Sequence, residues 1–144
     1  MIYLLDTDTL IFMIRGLKSL KAAEHGRARR LVDRCREQQG AGDSIGLSAV
    51  TVSELEFGAR KGGRYEVEMQ AVRKVLAPFD IYDYDAVLCP MHYGLIRHDL
   101  ERKGMTIGSM DLLIAAHALA LDAKLVSNNR EHFSRVAGLT VVAW

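Results

Sequence analysis

The chain has 144 residues and a formal net charge of +1, with 49% apolar and 26% charged residues. That length and apolar fraction suit a single domain over residues 1–144 with its own core. No apolar run is long enough to cross a bilayer, and the N-terminus lacks the pattern of a secretory leader. We therefore expect a cytoplasmic protein without a membrane span. The two cysteines fit no zinc spacing, which argues against a zinc ribbon or finger.

Short apolar segments alternate with longer amphipathic segments along the chain. Strands are predicted at 2–5, 44–48, 79–84, 124–127 and 139–143. Helices are predicted at 9–15, 18–39, 51–61, 65–76, 85–103 and 109–121. Leu20 counts among the apolar positions of the second helix. This alternation predicts an α/β fold in which helices cover both faces of a parallel sheet.

Polar residues follow several of the predicted strands. Asp6 comes directly after the first strand, and Ser48 closes the second with Glu54 two helical turns further on. Asn128 and Asn129 follow the fourth strand. Ligands and catalytic groups of such folds gather at the carboxyl ends of the strands. We therefore expect several of these groups to meet at one edge of the sheet.

Two aspartates, Asp6 and Asp8, stand between the first strand and the first helix. A single carboxylate is enough to cap a helix, so two acids in this position exceed the needs of capping. We predict a functional role for Asp6. Asp8 is left open as either the helix cap or a residue that supports the site.

Glu54 and Asp111 each have a structural alternative. Glu54 completes a T-x-x-E capping box that begins at Thr51, and Asp111 lies in the first turn of a helix, where the dipole favours an anion. However, the helix at 109–121 is apolar on nearly all sides, and a carboxylate at the mouth of a buried helix calls for a cation. Three carboxylates without histidine or cysteine suit Mg²⁺ or Mn²⁺.

The five histidines show no metal-ligand spacing, and we predict structural or solvated roles for them. Basic residues outnumber acids between Arg15 and Arg36, and a second basic cluster lies at 60–64. Both clusters fit either a solvated helix face or a surface that contacts phosphates. The candidate phosphate contacts are Arg30, Arg34, Arg60 and Lys61.

The opening stretch "YLLDTDTL" by itself resembles the first motif of the haloacid-dehalogenase-type phosphatases, in which Asp6 would be the nucleophile. The order of the remaining motifs does not fit that family. The segment "KLVSNN" that would match its second motif follows Asp111, the only candidate for its fourth.

The whole chain resembles a PIN-domain ribonuclease of the VapC toxin type. The resemblance is carried by "YLLDTDTLI", "LSAVTVSELEFGARKG" and "IGSMDLLIAAHALALDAKLVSNN" in this order. It implies a PIN-like three-layer α/β/α sandwich with a mainly parallel sheet, and Asp6, Glu54 and Asp111 as catalytic metal ligands. It also implies a homodimer that is inhibited by a cognate VapB-type antitoxin.

One position departs from the family pattern, which often has an acid in T-x-D after the last core strand. Here the matching residues are Ser127, Asn128 and Asn129, so that an amide takes the place of the acid. We expect Ser127, Asn129 and Asp8 to support the site. The number of bound metal ions, one or two, therefore remains open.

The resulting expectation is a Mg²⁺-dependent endoribonuclease toxin, with Mn²⁺ as an alternative ion, that hydrolyses tRNA or ribosomal RNA. The alternative hypothesis is a non-catalytic module of the same fold that binds RNA or protein. The amide at Asn129 keeps this second hypothesis open.

Overall fold

The computed structural model describes residues 1–144 and contains one five-stranded sheet. The strands are β1 (Ile2–Leu5), β2 (Ser44–Ser48), β3 (Asp80–Tyr82), β4 (Lys124–Val126) and β5 (Val141–Val142). The helices are α1 (Thr7–Lys18), α2 (Ala22–Gly40), α3 (Ala49–Lys61), α4 (Tyr65–Leu76), α5 (Leu88–Arg102), α6 (Ser109–Ala120) and α7 (Arg130–Phe133). All neighbouring strands are parallel, in the order β3-β2-β1-β4-β5. The predicted α/β/α sandwich is confirmed.

Strand β1 lies in the centre of the sheet and contributes side chains to both hydrophobic cores. Successive side chains of a strand point to opposite faces. Leu5 accordingly packs with α1, α2, α3 and α4, while Leu4 packs on the other face with α5 and α6, and both side chains are fully buried. Because both faces are covered, β1 is apolar without alternation, as the sequence predicted.

No helix is both long enough and apolar enough to span a membrane.

Two helices begin earlier than predicted because a polar residue at the junction with the preceding strand caps them. Helix α1 begins at Thr7, since the Asp6 carboxylate accepts the Thr9 N–H. Helix α3 begins at Ala49, because the Ser48 hydroxyl accepts the Val50 N–H. The capping box predicted at Thr51 is therefore wrong.

The prediction for the start of α2 was also wrong. The Ser19 hydroxyl accepts the N–H of Lys21, and this turn separates α1 from α2, which begins at Ala22. Leu20 lies in the turn and is fully exposed. The two helices then cross closely, because a Cβ at Gly16 would lie 2.6 Å from the Cβ of Ala28.

The remaining differences lie at the edges of the sheet. Strands β3 and β5 are shorter than predicted, and α7 was missed. Helix α5 begins at Leu88 instead of 85, since the Asp85 carboxylate accepts the N–H groups of Val87 and Leu88 in the turn before it. Pro90 sits in the first turn of α5, where its missing N–H has no intrahelical partner to lose.

Candidate active site

Asp6 is held at the carboxyl end of β1 by three hydrogen bonds. Its Oδ1 accepts the Thr9 N–H at 2.8 Å, its Oδ2 accepts the Ser127 hydroxyl, and its own N–H donates to the Val126 carbonyl at 3.1 Å. Asp6 is therefore the N-cap of α1, and the suggestion that Asp8 is the cap was wrong. Asp8 lies exposed in the first turn of α1.

The Asp6 side chain carries a charge in a buried place, with an exposed fraction of 4%. This burial raises the pKa of the Asp6 carboxyl, and the nearby charge of Asp8 adds to the increase. Hydrogen bonds from Ser127 and Thr9 oppose it without cancelling it. The ionised carboxylate is therefore under-compensated, which is the electrostatic condition that a bound cation relieves.

Glu54 is positioned by the junction between β1 and α1. The Thr7 hydroxyl donates to Glu54 Oε1 at 2.8 Å, and Thr7 Oγ1 also lies 3.0 Å from Thr51 Oγ1. A hydroxyl has one hydrogen, so Thr51 must donate to Thr7 when Thr7 donates to Glu54. Thr7, which is itself hydrogen-bonded to Thr51, thus fixes the position of the Glu54 carboxylate. Neither threonine was predicted as a site residue.

Asp111 lies in the first turn of α6 with a half-buried side chain. Partial burial raises the pKa of its carboxyl first, and the charges of Asp8, Asp6 and Glu54 raise it further. His132 opposes this increase, and its Nδ1 lies 3.9 Å from Asp111 Oδ2. The charges of the other three carboxylates therefore all reach Asp111 at this edge of the sheet.

A chain of hydrogen bonds connects Ser127 to His132. The buried Ser127 hydroxyl accepts the Asn129 N–H at 2.9 Å, and Asn129 Nδ2 lies 3.0 Å from His132 Nδ1. The amide group of Asn129 therefore orients an imidazole beside Asp111. Sequence reasoning missed His132, although its spacing of three residues from Asn129, the residue just before α7, could have indicated the pair.

His117 links the elements that carry two of the acids. It is fully buried in α6, its Nδ1 lies 2.7 Å from the Oγ of Ser48, and its ring packs edge-on against Tyr84. Burial lowers the pKa of His117, so that the imidazole is neutral at pH 7. This placement agrees with the structural role predicted for it.

The acids do not converge on one position as they stand: no three carboxylate, imidazole or thiol groups lie close enough together to hold an ion. The chemistry of the donor set nevertheless fits a hard cation, because Asp6, Glu54 and Asp111 offer oxygen atoms only. The charges of Asp6 and Glu54 raise the pKa of Asp111, and this repulsion also favours a divalent cation.

The four candidate phosphate contacts lie in two places. Arg30 lines a cavity beside Ser127, and Arg34 stacks over the Trp144 ring at 5.6 Å. Arg60 lies 3.6 Å from the centroid of the Tyr65 ring, and Lys61 is exposed beside it, both in the last turn of α3. The carboxyl edge is at the opposite end of α3, so of the four only Arg30 shares a cavity with residues that contact Asp6.

Comparisons with known proteins assign the chain to a family. The PIN-domain family profile matches residues 3–139. The chain belongs to the PIN-domain family, and within it to the VapC branch. Ribonuclease VapC2 of Rickettsia felis is 33% identical over 100% of this chain and 98% of its own length.

Two further relatives match the chain over nearly its whole length. The tRNA(fMet)-specific endonuclease VapC of Salmonella typhimurium is 32% identical over 99% of this chain and 97% of its own length. The solved structure of VapBC-1 from nontypeable Haemophilus influenzae matches with a TM-score of 0.84 and 30% identity, over 100% of this chain and 98% of that one.

Proposed function

We propose that residues 1–144 form one PIN domain that acts as the endoribonuclease toxin of a type II toxin–antitoxin pair. The observation that carries this proposal is the group of acids at the carboxyl edge, where the charges of Asp8, Asp6 and Glu54 raise the pKa of Asp111. The relatives that cover the whole chain are named as ribonucleases, and one of them as a tRNA(fMet)-specific endonuclease, which supports RNA as the substrate.

Asp6, Glu54 and Asp111 would hold one or two Mg²⁺ ions, or Mn²⁺ in their place. When bound, such an ion acidifies water and neutralises charge on the attacked phosphate. The protein's own contribution is orientation. Ser127 and Thr9 fix the Asp6 oxygens, and Thr7 fixes Glu54.

The remaining polar groups of the site position their neighbours, and the proposed mechanism does not require any of them to transfer a proton. Hydrolysis by water does not use the ribose 2′-hydroxyl as nucleophile, so histidine need not act as a base. His132 borders the Asp111 carboxylate, and Asn129 orients the His132 ring. Asp8 adds negative charge beside the Asp111 carboxylate.

The proposed partner is a cognate VapB-type antitoxin that holds the toxin inactive. The matching structure of VapBC-1 is of a toxin–antitoxin complex, which supports this partner for the present chain. We expect co-production of the antitoxin to relieve the growth arrest that the toxin alone causes.

The nuclease proposal is tested with purified protein and total tRNA. We expect cleavage with Mg²⁺, loss of cleavage with EDTA, and at least a hundredfold loss in Asp111→Asn, because removing even a supporting partner of a metal ligand costs about 10- to 100-fold. Expression of Asp111→Asn should also fail to arrest growth.

Asp122→Asn is the matched control for this loss. Asp122 is exposed just beyond α6 with φ of 52°, a conformation that asparagine adopts readily, so this variant should cleave normally. If wild type and Asp111→Asn behave alike on tRNA, on ribosomal RNA and in cells, the chain is a non-catalytic binding module instead.

We also propose a homodimer, supported by an apolar face of α5. Leu88, Met91 and Leu95 follow helical spacing and are 45%, 54% and 66% exposed. We expect the mass of a dimer by light scattering, and Leu95→Glu should give the mass of a monomer. Val67→Glu, which places the same charge on an exposed apolar site of α4, should remain dimeric. A monomeric wild type would overturn the proposal.

A further inference from the structure

A cavity of about 490 Å³ opens beside the candidate active site, between α1, α2 and the carboxyl end of β4. We call it the side cavity. Its lining includes Thr9, Phe12, Arg27, Arg30, Ser127 and Trp144.

The side cavity is continuous with the acidic site through two shared residues. Ser127 and Thr9, which line the side cavity, are also the residues whose hydroxyl and N–H donate to the Asp6 carboxylate. An occupant of the side cavity therefore lies next to the residue that we propose as the primary metal ligand. A chain of nucleotides whose phosphate sits at Asp6 would place a neighbouring nucleotide here.

Aromatic rings form part of the wall. The Trp144 ring is held in place by Tyr3, whose ring centroid lies 5.0 Å away, and by the guanidinium of Arg34 at 5.6 Å. Phe12 is 36% exposed, although it belongs to the helix that Asp6 caps. Trp144 is partly buried and Phe12 exposed, and accessible aromatic rings that are fixed in orientation are surfaces on which unpaired bases stack.

The two arginines of the side cavity form no ion pair, unlike the other arginines of α2, although the charge of Arg27 acts on Glu24 at longer range. Arg29 and Arg36 both pair with Asp33, and Arg34 pairs with Glu37. The two arginines that line the side cavity, Arg27 and Arg30, have no carboxylate within ion-pair distance. The lining is therefore cationic, and it suits an anionic occupant.

We propose that the side cavity binds one nucleotide of the RNA substrate, immediately beside the cleaved phosphodiester. Its base stacks on Trp144 and contacts Phe12, and its phosphate contacts Arg27 and Arg30. This inference rests on the proposed ribonuclease function, because the neighbouring phosphate must lie at Asp6. It makes the side cavity a determinant of which sequence is cut.

The test uses Trp144 as its own reporter, since it is the only tryptophan in the chain. The full-length Asp6→Asn variant is titrated with single-stranded RNA and with each of the four nucleoside monophosphates, without added metal. We expect RNA to quench the fluorescence, and the four monophosphates to quench it to different extents.

Charge variants then locate the phosphate. In the Asp6→Asn background, Arg27→Gln and Arg30→Gln should each weaken RNA binding about fivefold, and each should reduce the slope of log affinity against log salt by about 0.7. Arg29→Gln is the matched control, with the same charge change on the same helix. It should bind RNA within twofold of its parent.

The outcomes separate this inference from the proposed function. If wild type cleaves RNA but RNA leaves Trp144 fluorescence unchanged, or if Arg27, Arg29 and Arg30 variants lose affinity equally, the side-cavity proposal is overturned and the nuclease stands. If RNA quenches Trp144 but wild type never cleaves, the nuclease proposal fails instead. Quenching by the antitoxin but not by RNA would assign the side cavity to the protein partner and overturn the inference.

Discussion

Asp6→Asn should abolish RNA cleavage and at the same time make the metal-free protein more stable. The activity loss, at least about a hundredfold, follows from removing a proposed metal ligand. The stability gain follows from burial, which raises the pKa of Asp6 in the folded protein. Asparagine still offers an Oδ1 to the Thr9 N–H, so the cap of α1 is kept.

The pH dependence of this gain has a defined sign. A carboxyl whose pKa is raised on folding destabilises the folded state wherever the unfolded chain is already ionised. The advantage of Asp6→Asn should therefore be present at pH 7 and decrease as the pH falls towards about 4, the ordinary carboxyl pKa. Thermal unfolding in EDTA between pH 4 and pH 7 measures it. A variant less stable than wild type across this range would mean that the folded protein compensates the Asp6 charge.

Glu54→Gln and Glu56→Gln form the second informative pair, since the two residues lie only two positions apart on α3, on different faces, and undergo the same change. Glu54→Gln should lower cleavage at least about a hundredfold and shift the Mg²⁺ dependence to higher concentration. Its fold should persist, because the amide oxygen can still accept the Thr7 hydroxyl.

Glu56 serves a different purpose, because it accepts the Tyr65 hydroxyl at 2.6 Å between α3 and α4. Glutamine can accept the same bond, so Glu56→Gln should cleave within about twofold of wild type. Equal losses in the two variants would show that charge on α3, and not the position of Glu54, matters. A Mg²⁺ titration of initial cleavage rates distinguishes the two results.

Local signals in the sequence were enough for the strands and the acids. Strands β1 and β2 were predicted to the residue, because each is a continuous apolar run that ends at a polar residue. The same ends located Asp6 and Glu54 near one edge. The assignment of Leu20 failed for a local reason, since helical spacing does not tell where one helix stops and the next begins.

The hydrogen bonds that hold the acids in place could not be predicted from local sequence, because they join distant parts of the chain. Thr7 and Glu54 are 47 residues apart, and Ser127 and Asp6 are 121 apart. No periodicity within either segment indicates which hydroxyl will meet which carboxylate. The same holds for His132, whose neighbour Asp111 is on a different helix. Tertiary packing decides these pairs.

The central position of β1 has a consequence for the order of events during synthesis. Its partner β4 comprises residues 124–126, so the N-terminal strand must wait for almost the whole chain before its second edge is paired. The Asp6 carboxylate receives the Ser127 hydroxyl only at that moment. A growing polypeptide on the ribosome therefore lacks an assembled site until β4 and Ser127 are made, and a chain truncated before β4 should be harmless to the cell that makes it.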